Sequence, residues 1–203
     1  MQLNKKDLKR IWQQVPVDYY DKGISNNLLQ KIWHKNKFKN FKELIEGNHS
    51  YEKIIDVGCA GGHMTNEISL IFPHSQVFGV DVYSPVLKFA KRKYPHITFK
   101  KADAHKIPFG DDHFDLVVCY ETMEHVADPQ KVLAEMHRII KKNGKAIIAM
   151  DSGSWLFRIV WWVWEKTKGR AWKNAHLHPF THNELEKVIN DSGLKIIQKH
   201  FSH

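Results

Sequence analysis

Cysteine is nearly absent from this chain: Cys59 and Cys119 are the only two in 203 residues. Each sits in a predicted strand-end motif and not in a spaced framework, which excludes a disulfide-stapled scaffold and fits a reducing compartment. Long apolar runs are missing as well. No stretch approaches the roughly 18 apolar residues needed to span a bilayer, and Met1-Gln2-Leu3-Asn4-Lys5-Lys6 lacks the apolar segment of a secretory signal. A cytoplasmic protein is expected. There is no internal repeat and no low-complexity linker, so one domain over 1–203 is the expectation. Acidic residues are in deficit, 22 against 31 lysines and arginines. That excess of positive charge favours an anionic partner such as nucleic acid, an acidic lipid surface or an anionic small molecule. The lysines are spread along the chain, and a plain solvated surface explains them equally well.

What is present is a change of periodicity. To about Gly47 the chain reads as a helical cap, with Leu28, Leu29, Ile32, Trp33, Phe41, Leu44 and Ile45 near helical spacing and Gly47-Asn48 as the stop. From Lys53 short β-branched runs alternate with amphipathic helices, the pattern of a parallel sheet built from βαβ units. The predicted strands are Lys53–Val57, Gln76–Val80, Ile97–Lys100, Asp115–Cys119, Lys145–Met150 and Leu194–His200. Ser84-Pro85 and Asp128-Pro129 read as helix starts, each a capping side chain before a proline. The second of these helices has Val132, Leu133, Met136 and Ile139 on one face and is expected to stop at Lys141-Lys142-Asn143-Gly144. Thr181-His182-Asn183-Glu184 is a capping box for a last helix closed by Gly193.

The chemistry concentrates where the first strand ends. Asp56-Val57-Gly58-Cys59-Ala60-Gly61-Gly62, followed by a helix from His63, places free backbone N–H groups at the carboxyl edge of the sheet, where ligands of open α/β sheets bind. The next strand ends at Asp81, about 20 residues on, as suits a carboxylate accepting hydrogen bonds from ribose hydroxyls. A dinucleotide fingerprint wants glycine at 60 and 63; this chain has Ala60 and His63. The spacing resembles motif I of the class I S-adenosylmethionine-dependent methyltransferases. Val77-Phe78-Gly79-Val80-Asp81, Ala102-Asp103-Ala104 with Ile107-Pro108-Phe109, and Phe114-Asp115-Leu116-Val117-Val118-Cys119 resemble that family's later motifs in order. The resemblance covers 53 to 150 and is nearest to the small-molecule branch that includes ubiquinone and menaquinone methyltransferases. It implies that Asp56 lies near the methionine end of the cofactor, and that Gly58, Cys59, Ala60, Gly61 and Gly62 line it. Asp81 with Val82 would hold the ribose, Asp103 with Ala104 would face the adenine, and Cys119 and Tyr20 would complete the pocket. Ala60 departs from the usual glycine.

The residues after the fourth strand carry the acceptor chemistry. Cys119-Tyr120-Glu121-Thr122-Met123-Glu124-His125-Val126 lacks the Asn/Asp-Pro-Pro-Tyr/Phe of methyltransferases that act on nucleobase amines, which argues against a nucleic-acid target. His125 is the candidate general base, since imidazole titrates near neutrality; a histidine that only caps the loop is the plainer reading. Glu121, Glu124 and His125 also match a Glu-x-x-Glu-His pattern that, by the same resemblance, goes with a divalent cation such as Mg2+.

Five of the seven tryptophans (155, 161, 162, 164 and 172) fall between the fifth strand and the last helix, beside Arg158, Lys166, Lys168, Arg170 and Lys173. Such a mixture favours the water–lipid boundary or admits a lipophilic acceptor; a buried helix explains it too. His176, His178 and His182 read as a loop over the site more than as metal ligands. At the other end, Pro16-Val17-Asp18-Tyr19-Tyr20-Asp21 resembles the tyrosine-containing arm that family members fold over the cofactor. Only Phe201-Ser202-His203 follow the sixth predicted strand, too few for a turn and a further strand of about 5 residues. The sheet is therefore expected to lack its seventh strand and to leave an edge near Lys145–Met150 for the 151–180 insertion or a second subunit to cover. The expected fold is a doubly wound, mostly parallel Rossmann-like sheet with a helical cap (1–50), a core (51–150), an insertion (151–180) and a last helix and strand (181–203). The expected reaction is methyl transfer from S-adenosylmethionine to an oxygen or carbon of a small lipophilic acceptor. An RNA-directed enzyme and a non-catalytic cofactor-binding or membrane-surface module stay open as alternatives.

Overall fold

The computed structural model describes residues 13, 15–45, 50–150, 162, 166, 177–178 and 180–200. Two cap helices, α1 (Tyr19–Asn26) and α2 (Leu28–Leu44), precede β1 (Lys53–Val57), α3 (His63–Ile71), β2 (Gln76–Asp81), α4 (Ser84–Lys93), β3 (Thr98–Lys101) and β4 (Phe114–Tyr120). A short 3-10 turn (Met123–His125), α5 (Pro129–Ile139), β5 (Ile140–Ala149) and α6 (His182–Asp191) follow. The five strands form one parallel sheet in the order β3-β2-β1-β4-β5. The order reverses between β1 and β4, and the crevice at such a reversal is where α/β sheets bind ligands.

Alternation along the strands builds two cores. Ile54, Leu116 and Val118 face a layer containing Phe41 and Ile45 of the cap, Met64 and Ile68 of α3, and Leu87 and Ala90 of α4. Ile55, Val57, Val117 and Cys119 face Val132, Leu133, Met136 and Ile139 of α5, with Val188 and Ile189 of α6 packed against them. Burial on both faces is why these strands read as continuous apolar runs.

Local signals held at several boundaries. The Asp128 side chain caps α5 by accepting from the Lys131 N–H, and the Thr181–Glu184 capping box is formed on both sides. Ser84, in contrast, is already helical and makes no cap hydrogen bond; Tyr83 is the capping residue and Pro85 lies in the first turn. The expected apolar face of α2 also needs correction. Leu28, Ile32 and Trp33 are exposed, while His34, Phe41 and Ile45 are buried, so the buried stripe is rotated toward a polar residue.

Two C-terminal expectations are overturned. The segment Lys141-Lys142-Asn143-Gly144 is not a helix end: α5 stops at Ile139 and β5 begins at Ile140, with an irregularity in its pairing to β4 between Phe114 and Leu116. Lys141 there bonds Asp115 at 2.8 Å, so its charge serves a strand carboxylate and not a helix terminus. Leu194–His200 forms no strand. It leaves the α5 side, where Leu194 packs, and ends with His200 Nε2 3.8 Å from Glu43 of α2, crossing between the two faces without ladder bonds. Among the described residues β5 pairs only with β4, so the sheet edge expected near Lys145–Met150 is open.

The tryptophan-rich run lies outside the described residues except for Trp162, which is exposed with Lys166 Nζ 3.5 Å from its ring centroid. His176 and Phe201–His203 also lie outside them. No helix among the described residues is long and apolar enough to cross a membrane.

Candidate active site

The turn after β1 is held against the end of β2. The Gly58 and Cys59 N–H groups donate to the Val80 carbonyl at 2.8 and 3.0 Å. Gly58 and Gly62 have φ of +80° and +79°, and a side chain at either would run into Thr122 or the Phe99 ring. Glycine is required there by both conformation and space. Ala60 adopts a left-handed conformation too, φ +45°, so the departure from glycine is accommodated at the cost of local strain.

Asp81, at the end of β2, accepts from the Ala60 N–H (3.0 Å) and the Tyr83 N–H (2.8 Å), which clamps the glycine-rich turn to the next strand. Burial raises its carboxyl above the usual range, partly offset by the N–H groups of Tyr83, Ala60 and Val82. Asp56 is 2% exposed, and its Oδ2 accepts from the Thr65 hydroxyl at 2.7 Å. Burial pushes its pKa up to about 6 against the pull of that hydrogen bond.

These groups open onto one cavity of about 1160 Å³ along the carboxyl edge of the sheet. Of the residues singled out in the sequence, Asp56, Gly58, Cys59, Ala60, Gly61, Asp81, Val82, Asp103, Ala104, Tyr20, Glu121 and His125 line it. Gly62 and Cys119 do not. Gly62 is the buried N-cap of α3, and Cys119 points into the α5 core, where burial raises its thiol pKa. An alternation argument explains the second miss: Cys119 lies on the strand, and the chain turns toward the cavity only after it. Asp103 is exposed and engages the His105 ring and N–H, while His105 Nε2 accepts from the Asp128 N–H at 3.1 Å. This loop is thereby tied to the start of α5.

Glu121, Glu124 and His125 are not assembled as a metal centre. Glu121 is ion-paired to Lys37 of α2 at 2.8 Å, and Glu124 is buried, its backbone carbonyl accepting from Leu177 N–H at 2.7 Å. His125 is half-buried and lines the cavity. No group of three His, Cys, Asp or Glu among the described residues is arranged to hold a metal. His178 instead stacks on Phe180 and His182 opens α6.

Apart from Tyr20, the sequence reading missed the cap side of the cavity. His34, Lys37 and Phe38 of α2, with His63 at the start of α3, line it. The only signal available was a polar residue inside an otherwise helical apolar stripe.

A methyltransferase-domain family model matches residues 55–148, the segment containing β1 through β5 and the whole carboxyl edge. Over that segment the chain resembles the methyltransferase-domain family. The chain is 26% identical over 96% of its length to a ubiquinone biosynthesis O-methyltransferase of Rickettsia prowazekii, of which it spans 79%. It is 30% identical over 71% of its length to a demethylmenaquinone methyltransferase of Chlorobaculum parvum, and spans 60% of that protein. The same fold is seen in the crystal structure of an S-adenosylmethionine-dependent methyltransferase from Thermotoga maritima, with a TM-score of 0.72, 21% identity, and coverage of 92% of this chain and 81% of that one.

The site residues suit S-adenosylmethionine. The cofactor has an anionic and a cationic end group, a ribose diol and an adenine. The cavity offers a buried carboxylate at Asp56, a half-buried one at Asp81, a turn stripped of side chains at Gly58 and Gly61, and a loop-borne carboxylate at Asp103.

Proposed function

We propose that this chain transfers a methyl group from S-adenosylmethionine to an oxygen or carbon of a small, lipophilic acceptor. One observation carries the reading: a single cavity joins Asp56, the glycine-rich turn and Asp81 to His125 and the residues after β4. The two quinone-pathway relatives support the acceptor class. We assign Asp81 to the ribose hydroxyls, Asp56 to the methionine end, and Asp103 with Ala104 to the adenine side.

When bound, the cofactor supplies an activated methyl on sulfur, whose departure leaves a neutral thioether. With a hydroxyl acceptor the S–CH3 bond breaks, an O–CH3 bond forms, and the hydroxyl proton goes to the protein. His125 takes that proton. Its backbone N–H donates to the Thr122 carbonyl at 3.0 Å, which fixes the short turn that carries it. Positioning supplies most of the remaining rate, because the leaving group needs no protonation. Magnesium has no step here, since the residues do not form its site.

Contact with a lipid surface through 155–173 belongs to the same proposal, supported by the clustered tryptophans and cations of that segment. The test is labelled methyl transfer into a lipid extract and into bulk RNA. Label is expected in the lipid fraction; label in RNA, or no transfer by protein that binds the cofactor, overturns the reading. Anionic vesicles should shift the tryptophan emission to the blue, and an unchanged spectrum removes the lipid contact.

A further inference from the structure

His34 is 5% exposed, yet among the described residues no hydrogen bond reaches its ring. Buried imidazoles ordinarily have partners, because a neutral ring carries one N–H donor and one lone pair. The ring instead lines the cavity. Its neighbours are rings: Tyr20 edge-on at 5.5 Å, His63 stacked at 6.2 Å, and Phe38 at 6.3 Å, with Phe38 also stacked on His63 at 5.5 Å. His63 Nδ1 is buried without a hydrogen-bond partner among the described residues. A histidine that lines the cavity and a second with a buried, unpartnered nitrogen, set among aromatic faces, leave a position for a flat molecule with a polar edge.

We propose that His34 is an acceptor-binding residue, whose imidazole hydrogen-bonds a hydroxyl on a planar ring seated against Tyr20, Phe38 and His63. The inference rests on the methyltransferase reading and names how that site takes its second substrate. His34 sits on α2, whose Lys37 is bonded to Glu121 just past β4, so it lies on the cap side of the cavity. The ionic end of the cofactor is poorly served by such a wall. Its charges need counter-charges or several N–H groups, which Asp56 and the turn after β1 supply, whereas aromatic faces favour an uncharged planar partner. Burial, with the positive charges of Lys37 and His63 nearby, pulls the His34 pKa to about 3. The ring is therefore neutral throughout the working range and keeps its lone pair for a hydroxyl proton.

The test uses the full chain saturated with S-adenosylhomocysteine and titrated with 4-nitrocatechol, whose visible absorption reports binding. His34→Phe keeps the ring and removes the hydrogen bond; His34→Gln keeps a hydrogen-bonding group. Wild type is expected to bind the probe, His34→Phe about tenfold more weakly, and His34→Gln within about threefold of wild type, for a hydrogen bond of ordinary strength. Affinity for S-adenosylhomocysteine, measured by calorimetry, should stay within about twofold in all three. Equal loss of cofactor and probe affinity in His34→Phe would place His34 at the cofactor and overturn the proposal. So would an unchanged probe affinity, which would mean that water alone satisfies the ring, or a wild type that binds S-adenosylhomocysteine but not the probe. A wild type that binds no S-adenosylhomocysteine overturns the methyltransferase reading itself.

Discussion

Lys37 Nζ lies 2.8 Å from Glu121 Oε2, with both side chains almost wholly enclosed (11% and 12% exposed). The pair joins the cap to the end of β4, and the Lys37 ammonium also sits 4.7 Å from the Tyr120 ring centroid and 5.2 Å from that of Trp33. Glu121 occupies a left-handed conformation, φ +51°, that its backbone would not choose unaided. Removing one partner strands the other charge in a poorly hydrated place. Glu121→Gln is expected to lower stability by about 2 kcal/mol, and the double variant Lys37→Met/Glu121→Gln to recover part of it. Urea denaturation of wild type, Lys37→Met, Glu121→Gln and the double variant measures the coupling; additive losses would show that the pair contributes nothing as a pair.

Asp81→Ala removes a carboxylate assigned to two ribose hydroxyls. Calorimetry should show S-adenosylmethionine affinity falling by about 100-fold or more, since two charge-assisted hydrogen bonds are lost together. The same variant frees the Ala60 and Tyr83 N–H groups, so a modest loss of thermal stability should accompany it. Unchanged affinity would refute the assignment.

Asp56 makes stability depend on pH in a sense opposite to that of an exposed, paired carboxylate. Burial raises its pKa from 3.8 to about 6, so between those values the folded protein holds a proton that the unfolded chain has released. Its contribution to stability therefore grows as pH falls from about 6 to about 4 and is absent above 6, where the buried charge is carried at a cost of about 3 kcal/mol. Asp56→Asn, free of cofactor, should be more stable than wild type at pH 8, with the difference shrinking to a small constant below pH 4. A difference independent of pH would show that Asp56 is not strained by burial. The cofactor's ammonium favours the ionised form, so wild-type affinity for S-adenosylmethionine should fall as pH drops below 6.

His125 is assigned the acceptor's proton, and no metal is assigned to its neighbours. His125→Ala should slow labelled methyl transfer into a lipid extract by about 100-fold, the lower range for loss of a general base, with cofactor affinity retained. Exhaustive chelation should leave the wild-type rate unchanged. A rate abolished by chelation and restored by magnesium would reinstate Glu121, Glu124 and His125 as ligands.

Periodicity and capping alone determined the parallel core of this protein. The β-branched runs at Lys53–Val57 and Gln76–Asp81, the glycine-rich turn between β1 and α3, the Asp128 cap and the Thr181 capping box all depend on residues within a few positions of one another, and each is present. The order Asp56, Asp81, Asp103 and His125 along the chain was enough to bring those residues to one cavity, because every parallel strand delivers its carboxyl end to the same edge. Tertiary structure decided the rest. Lys37 and Glu121 are 84 positions apart, and no local pattern pairs them. The burial of His34 in place of Trp33 depends on which side of α2 meets α3. Leu194–His200 shows why a strand is less legible than a cap: a run of suitable residues becomes a strand only where a neighbour offers free ladder groups, and this one joins no strand of the sheet among the described residues.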